Sequence, residues 1–155
     1  MTDKTCKERI HDEYDNRIET IESILDQIDH HYSEPPDDEA LKELYEYGLS
    51  FDYVEPNTFK DQKRGYLRWQ LSWGGPSDEF RFFIDEQGGI TDIEYRFMDW
   101  FDGAVIDVNM RSCDGKKFDH KYGLLEYDAD ILVRAFDCFT AGEPLWLVER
   151  SQEAV

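Results

Sequence analysis

The sequence predicts an α+β fold: an antiparallel β-meander of four to five strands with a long N-terminal helix, a short second helix and a C-terminal helix packed on it. Three observations carry that prediction. Apolar residues recur in steps of three and four from about Asp3 to Tyr32 and again after residue 124, which is the period of a helix. Between residues 49 and 108 they alternate with polar residues, which is the period of a strand. Turn signals cut the alternating region into short pieces suited to hairpins, and helices flanking such a meander bury their apolar stripes by lying on it.

The first helix has Ile10, Tyr14, Ile18, Ile21, Leu25, Ile28 and Tyr32 on one face, widened by Ile24, and the Pro35-Pro36 pair stops it. Asp37 or Asp38 can cap a short second helix carrying Leu41, Leu44 and Tyr45, which Gly48 ends. Leu49, Phe51 and Tyr53 suggest the first strand. In the next, Leu67, Trp69, Leu71 and Trp73 alternate with Tyr66, Arg68, Gln70 and Ser72. Phe80, Phe82 and Ile84 then alternate with Glu79, Arg81 and Phe83. Ile93, Tyr95 and Phe97 form a later strand, and Ala104, Ile106 and Val108 the last. The turns between them are expected at Gly74-Gly75-Pro76-Ser77, at Gln87-Gly88-Gly89 and at Asp102-Gly103, where Asp-Gly suits a tight primed turn. Residues 111–123 read as a loop. Leu124, Leu125, Ile131, Leu132, Ala135, Phe136 and Phe139 mark a C-terminal helix closed by Gly142. A chain of 155 residues, 40% apolar and 15% aromatic, has core enough for one domain: an acidic helical arm (1–47), a sheet (48–110), then the loop and C-terminal helix (111–155).

The formal net charge is −19, from 36 acidic and 17 basic residues, far beyond what solubility asks for. Such a surface repels nucleic acid and anionic lipid and attracts basic grooves, so the expected partner is a positively charged protein. Apolar runs are far shorter than the ~18 residues of a membrane span. Cys6, Cys113 and Cys138 share no short spacing and no apolar leader opens the chain, so a reducing cytoplasm is expected.

Chemistry is sparse. His11, His30, His31 and His120 lack zinc-ligand spacing, so no metal site is nominated, and carboxylate pairs are too common in this chain to single one out. Gly74-Gly75 leads into a proline and a strand where a phosphate loop needs a helix. No cofactor motif is found and no enzyme is expected. Trp69, Trp73, Trp100, Phe80, Phe82, Tyr95 and Phe97 read mainly as core, because a stacking platform needs Lys and Arg around it. Phe83 and Tyr66, opposite their apolar neighbours, are candidates for contact with a partner or with the long helix. The basic cluster Arg111, Lys116, Lys117 and Lys121 serves to offset nearby carboxylates.

One pattern stands apart. Asp12, Asp15, Glu19, Glu22, Asp26 and Asp29 follow one another in steps of three and four, a stripe of carboxylates along one helix. Like charges at that separation cost about 0.2–0.5 kcal/mol per pair. The nearby cations Lys4, Lys7, Arg9 and Arg17 lie toward the helix start, and residues 1–56 hold 17 acidic against 5 basic side chains. The stripe places a charge about every 4.5–6 Å, sparser than the phosphates of a DNA strand at about 3.4 Å. Asp37, Asp38, Glu39, Glu43 and Glu46 offer a second patch. A charged face can also serve only to keep a helix solvated, and dimerisation is another use for the arm.

The segment from Tyr47 to Asp107, with SWGGPSDEFRFF and MDWFDGA, resembles small uncharacterised acidic proteins of bacterial plasmids, phages and integrative elements. The resemblance covers the sheet region and carries no catalytic residue with it. It implies a mobile-element setting, in which small acidic proteins often look like DNA mimics. The resulting expectation is an anti-CRISPR or antirestriction inhibitor occupying the DNA-binding surface of a host defence complex, with the eleven carboxylates of the two patches as its contacts. The alternative is a non-catalytic interaction or regulatory module of a mobile element, homodimeric or not, binding through an aromatic sheet face.

Overall fold

The apolar stripe folds as α1 (Cys6–Asp29), whose start is fixed by a reciprocal cap. The Glu8 amide donates to Thr5 Oγ1 while the Thr5 amide donates to Glu8 Oε1, both at 3.2 Å. In this computed structural model the residues described are 5–29, 38–108, 125–141 and 143–153. Asp3, Lys4, His30, His31, Tyr32, the Pro35-Pro36 stop, Asp37, Cys113, His120, the basic cluster of 111–121, Leu124 and Gly142 lie outside them.

α2 (Asp38–Tyr47) buries Leu44 and half-buries Leu41, and the largely exposed Tyr45 donates its hydroxyl to the Cys138 carbonyl at 3.0 Å. Gly48 follows for a steric reason: a Cβ there would stand 2.6 Å from Trp69 Nε1 and 2.8 Å from the Gln70 carbonyl.

Five strands form one antiparallel sheet in sequence order: β1 (Ser50–Val54), β2 (Tyr66–Ser72), β3 (Pro76–Ile84), β4 (Ile90–Asp99) and β5 (Asp102–Asp107). The registers align Phe51, Trp69, Phe80, Tyr95 and Ile106 as one row across the inner face. Large cross-strand neighbours of this kind stabilise a sheet through their mutual burial. α1 covers the row at Tyr14, whose ring lies 5.5 Å from Tyr95 and 6.4 Å from Phe80. α3 (Leu125–Thr140) covers the other side, with Phe139 stacked parallel on Phe51 at 4.6 Å and Phe136 against Phe82 at 5.0 Å. Ile10, Ile18, Ile21, Ile24, Leu25 and Ile28 join Ile131, Leu132 and Ala135 in the same core. The α+β architecture expected from the periodicities is the one observed.

Three features differ from expectation. The β2–β3 turn spans 73–75: Trp73 lies beyond β2 and is exposed, and Pro76 and Ser77 already pair with Asp99 and Met98 in β3. The β4–β5 turn is Trp100-Phe101, closed by the pair Asp99 and Asp102, while Asp102-Gly103 begins β5. Moving the turn by two residues would leave the inward side chains inward. The observed register additionally sets the Asp102 carboxylate on the Cys6 amide at 2.8 Å, a tertiary bond that outweighs the local Asp-Gly preference. The C-terminal region also holds a second helix, α4 (Pro144–Glu153), beginning with proline at the position where its missing amide costs nothing. No helix among the described residues is long and apolar enough to cross a membrane.

Candidate functional site

α1 is held face-down by charged groups that reach the sheet. Arg17 donates to both oxygens of Asp78, at 2.7 and 2.9 Å, and to the Tyr47 hydroxyl at 3.1 Å. Asp78 is 2% exposed and also accepts from the Tyr95 hydroxyl at 2.6 Å and from the Ser72 hydroxyl. Burial works against the Arg17 charge, but its bonds to Asp78 and Tyr47 outweigh that and hold the guanidinium above its ordinary value. Burial, reinforced by the Asp78 charge, likewise pushes the Tyr95 phenol well up. Nearer the helix start, Arg9 bonds Asp99 at 2.6 Å and lies over the Phe97 ring.

Both α1 arginines thus serve the sheet and leave the carboxylate stripe to itself. Asp12, Glu19 and Asp26 are exposed and Asp15 and Glu22 half-buried, along the side of α1 away from its core residues, and Asp29 is the last residue of the helix. Asp12, Asp15, Glu19 and Asp26 enter none of the ion pairs or hydrogen bonds formed by described residues. On α2, which packs against α1, Glu39, Glu43 and Glu46 are exposed and Asp38 opens the helix. Asp37 lies outside the described residues.

The outer face of the sheet is the opposite case. Arg68 and Arg81 face each other across β2 and β3, a repulsive pairing relieved because each has its own carboxylate. Arg68 bonds Asp52 at 2.9 Å, Arg81 bonds Glu79 at 2.6 Å, and Arg96 bonds Glu94 at 2.9 Å. Tyr66 and Phe83 lie among them, their rings 5.5 Å apart. The guanidiniums of Arg81 and Arg64 cover these two rings at 4.5 and 4.6 Å respectively. Tyr66 is fully buried, and its hydroxyl finds no hydrogen-bond partner among the described residues. A buried polar group left unmatched costs about 1–3 kcal/mol. Tyr66 and Phe83, expected to meet a partner or the long helix, are instead covered by arginines, which are scattered along the chain and converge only once the register is known.

Above this face stands the β1–β2 loop, stapled by Gln62. Its side-chain amide donates to the Glu55 and Arg64 carbonyls at 2.9 and 2.7 Å, while its Oε1 accepts from the Phe59 amide at 3.0 Å. Loop and sheet enclose a cleft of about 460 Å³ into which the loop brings Lys60, Lys63 and Arg64.

A third feature is the pair of hairpin tips at one end of the sheet. Trp73, Trp100 and Phe101 are 75%, 82% and 103% exposed. Trp100 Nε1 stands 3.7 Å from where a Cβ on Gly75 would be, so the β2–β3 and β4–β5 tips are neighbours. By contrast Trp69, Phe80, Phe82, Tyr95 and Phe97 are core, as expected.

Among the described residues no three His, Cys, Asp or Glu side chains are grouped so as to hold a metal ion. Comparison of the chain with family models, with curated proteins and with solved structures returns no match.

Proposed function

We propose that the protein is a non-catalytic anti-defence inhibitor of the anti-CRISPR or antirestriction kind, an acidic mimic of DNA that binds the basic DNA-binding surface of a host defence complex. The observation that carries this reading is that Asp12, Asp15, Glu19 and Asp26 have no ion-pair partner among the described residues, on a helix whose own arginines are committed to the sheet. Repulsion along that row weakens the helix and serves no contact within the described residues, whereas a cationic groove would relieve it. Glu39, Glu43 and Glu46 on α2 supply further charge to an otherwise sparse row.

The test is retention of DNA-binding defence complexes from a bacterial host on the immobilised protein, with DNA competition and a salt series. The combined substitution Asp12→Asn, Asp15→Asn, Glu19→Gln and Asp26→Asn is expected to lower affinity at least tenfold, on the order of one charge-assisted contact or more. Retention that ignores DNA, salt and these four substitutions overturns the reading.

The exposure of Trp73, Trp100 and Phe101 favours a second reading, an interaction module of a mobile element. Large aromatics are the usual anchors of protein contacts. The aromatic contact then lies at the hairpin tips, since Tyr66 and Phe83 are covered by arginines. Salt-insensitive binding abolished by Trp100→Ala, or a native mass of two chains, identifies this case.

A further inference from the structure

We propose that the cleft between the β1–β2 loop and the outer face of β2, β3 and β4 binds a nucleoside monophosphate, with Lys60 and Lys63 on its phosphate, Arg64 stacked on its base, and Tyr66 donating to the base edge. This site lies on a different face from α1 and does not depend on the inhibitor reading.

Charge is the first argument. In a chain of net charge −19, the cleft is lined by five cations against the three carboxylates Asp61, Asp92 and Glu94. Arg64 is matched to Asp92 at 3.0 Å, Arg81 to Glu79 and Arg96 to Glu94, whereas Lys60 and Lys63 enter no ion pair among the described residues. Two exposed ammonium groups three residues apart at the mouth of a cleft suit one compact dianion.

Shape is the second. A volume of about 460 Å³ falls within the range of small-molecule sites and suits a ligand of mononucleotide size. The guanidinium of Arg64 already lies over Phe83 at 4.6 Å, and the outer face of a guanidinium held on a ring accepts a planar heteroaromatic ring. The wall is preformed, because Gln62 ties the loop at both ends and Asn57 and Asp61 hold left-handed backbone there, with φ 65° and 61°.

The unmatched Tyr66 hydroxyl is the third. Tyr66 is among the residues that line the cleft, and a phenol donor with no acceptor among the described residues fits a ring nitrogen or carbonyl of a base. A polynucleotide is disfavoured, since phosphates extending beyond the cleft would meet the field of the acidic chain.

Titration calorimetry of the full chain with AMP tests the proposal, beside adenosine, inorganic phosphate and a short oligodeoxythymidine. Saturable AMP binding is expected, with adenosine and phosphate each at least tenfold weaker. Lys60→Ala and Lys63→Ala, both at exposed positions, should each weaken AMP about tenfold, the worth of one charge-assisted bond. Tyr66→Phe, which keeps the ring, should weaken it several-fold. The proposal is overturned if millimolar AMP, GMP, CMP and UMP all give no heat, if phosphate alone matches AMP, if the three variants bind as the parent does, or if the oligonucleotide binds more tightly.

Discussion

Arg17 and Asp78 show what one buried charge does. Asp78 is satisfied by Arg17, Tyr95 and Ser72 together, so removing the guanidinium leaves a carboxylate stranded between helix and sheet. Arg17→Ala is expected to cost about 3 kcal/mol, measurable by urea denaturation, because an uncompensated buried charge is far costlier than the pair is favourable. The tyrosines give a pH signature. Burial holds Tyr66 and Tyr95 above the ordinary phenol value of 10.0, so their neutral forms belong to the folded state. Their contribution is complete below pH 10 and is lost as pH rises, since the unfolded chain releases these protons first. Tyr66→Phe and Tyr95→Phe should each flatten the alkaline loss of thermal stability. At pH 7 they part company: Tyr66→Phe is neutral or stabilising by up to about 1 kcal/mol, because its hydroxyl is unmatched, whereas Tyr95→Phe destabilises by about 1.5 kcal/mol through loss of a bond to a charged group. The burial of Tyr14 and Tyr95 was legible from periodicity. That of Asp78 was not, because its partner Arg17 lies 61 residues away and no local spacing separates it from the other carboxylates.

At the level of elements, strand alternation and helical stripes follow from side-chain geometry alone, which is why α1 and all five strands could be read from the chain. Turn position depends on energies of tertiary contacts, and there Asp102-Gly103 misled. The cost of the true turn is visible at Trp100, a bulky residue with φ 58° where a two-residue loop of this kind favours glycine. Trp100→Gly should raise the melting temperature, with a net gain of about 0.5–1 kcal/mol after the extra freedom of the unfolded chain is counted. If the tips anchor a partner, the same substitution weakens that association while stabilising the protein. α4 escaped notice because its apolar residues Leu145 and Trp146 remain exposed and mark no clean buried stripe. The cleft was equally illegible: Lys60, Lys63, Arg64, Arg81 and Arg96 come from a loop and two strands, and only the β3–β4 register brings the last two together.

Among the described residues the charge is divided, with a negative row on α1 that none of them matches and a cross-linked, locally basic face on the far side of the sheet. Neutralising Asp12, Asp15, Glu19 and Asp26 should therefore raise thermal stability, by about 0.2–0.5 kcal/mol for each repulsive pair removed, and more at low salt than at high. Equal gains at 10 mM and 1 M salt would show that repulsion is not the source. The acidic stripe and the scarcity of cations near its C-terminal half are plain in the sequence, whereas the commitment of Arg9 and Arg17 to the sheet is not. The bond from Cys6 to Asp102 has a consequence for biogenesis. The first turn of α1 is synthesised before the carboxylate that secures it, which follows 96 residues later. Until then the helix is a nascent segment with its apolar side uncovered, and the meander, built of neighbouring hairpins, assembles ahead of it. The carboxylates along its other side give that uncovered segment a like charge that opposes its association with further copies of itself.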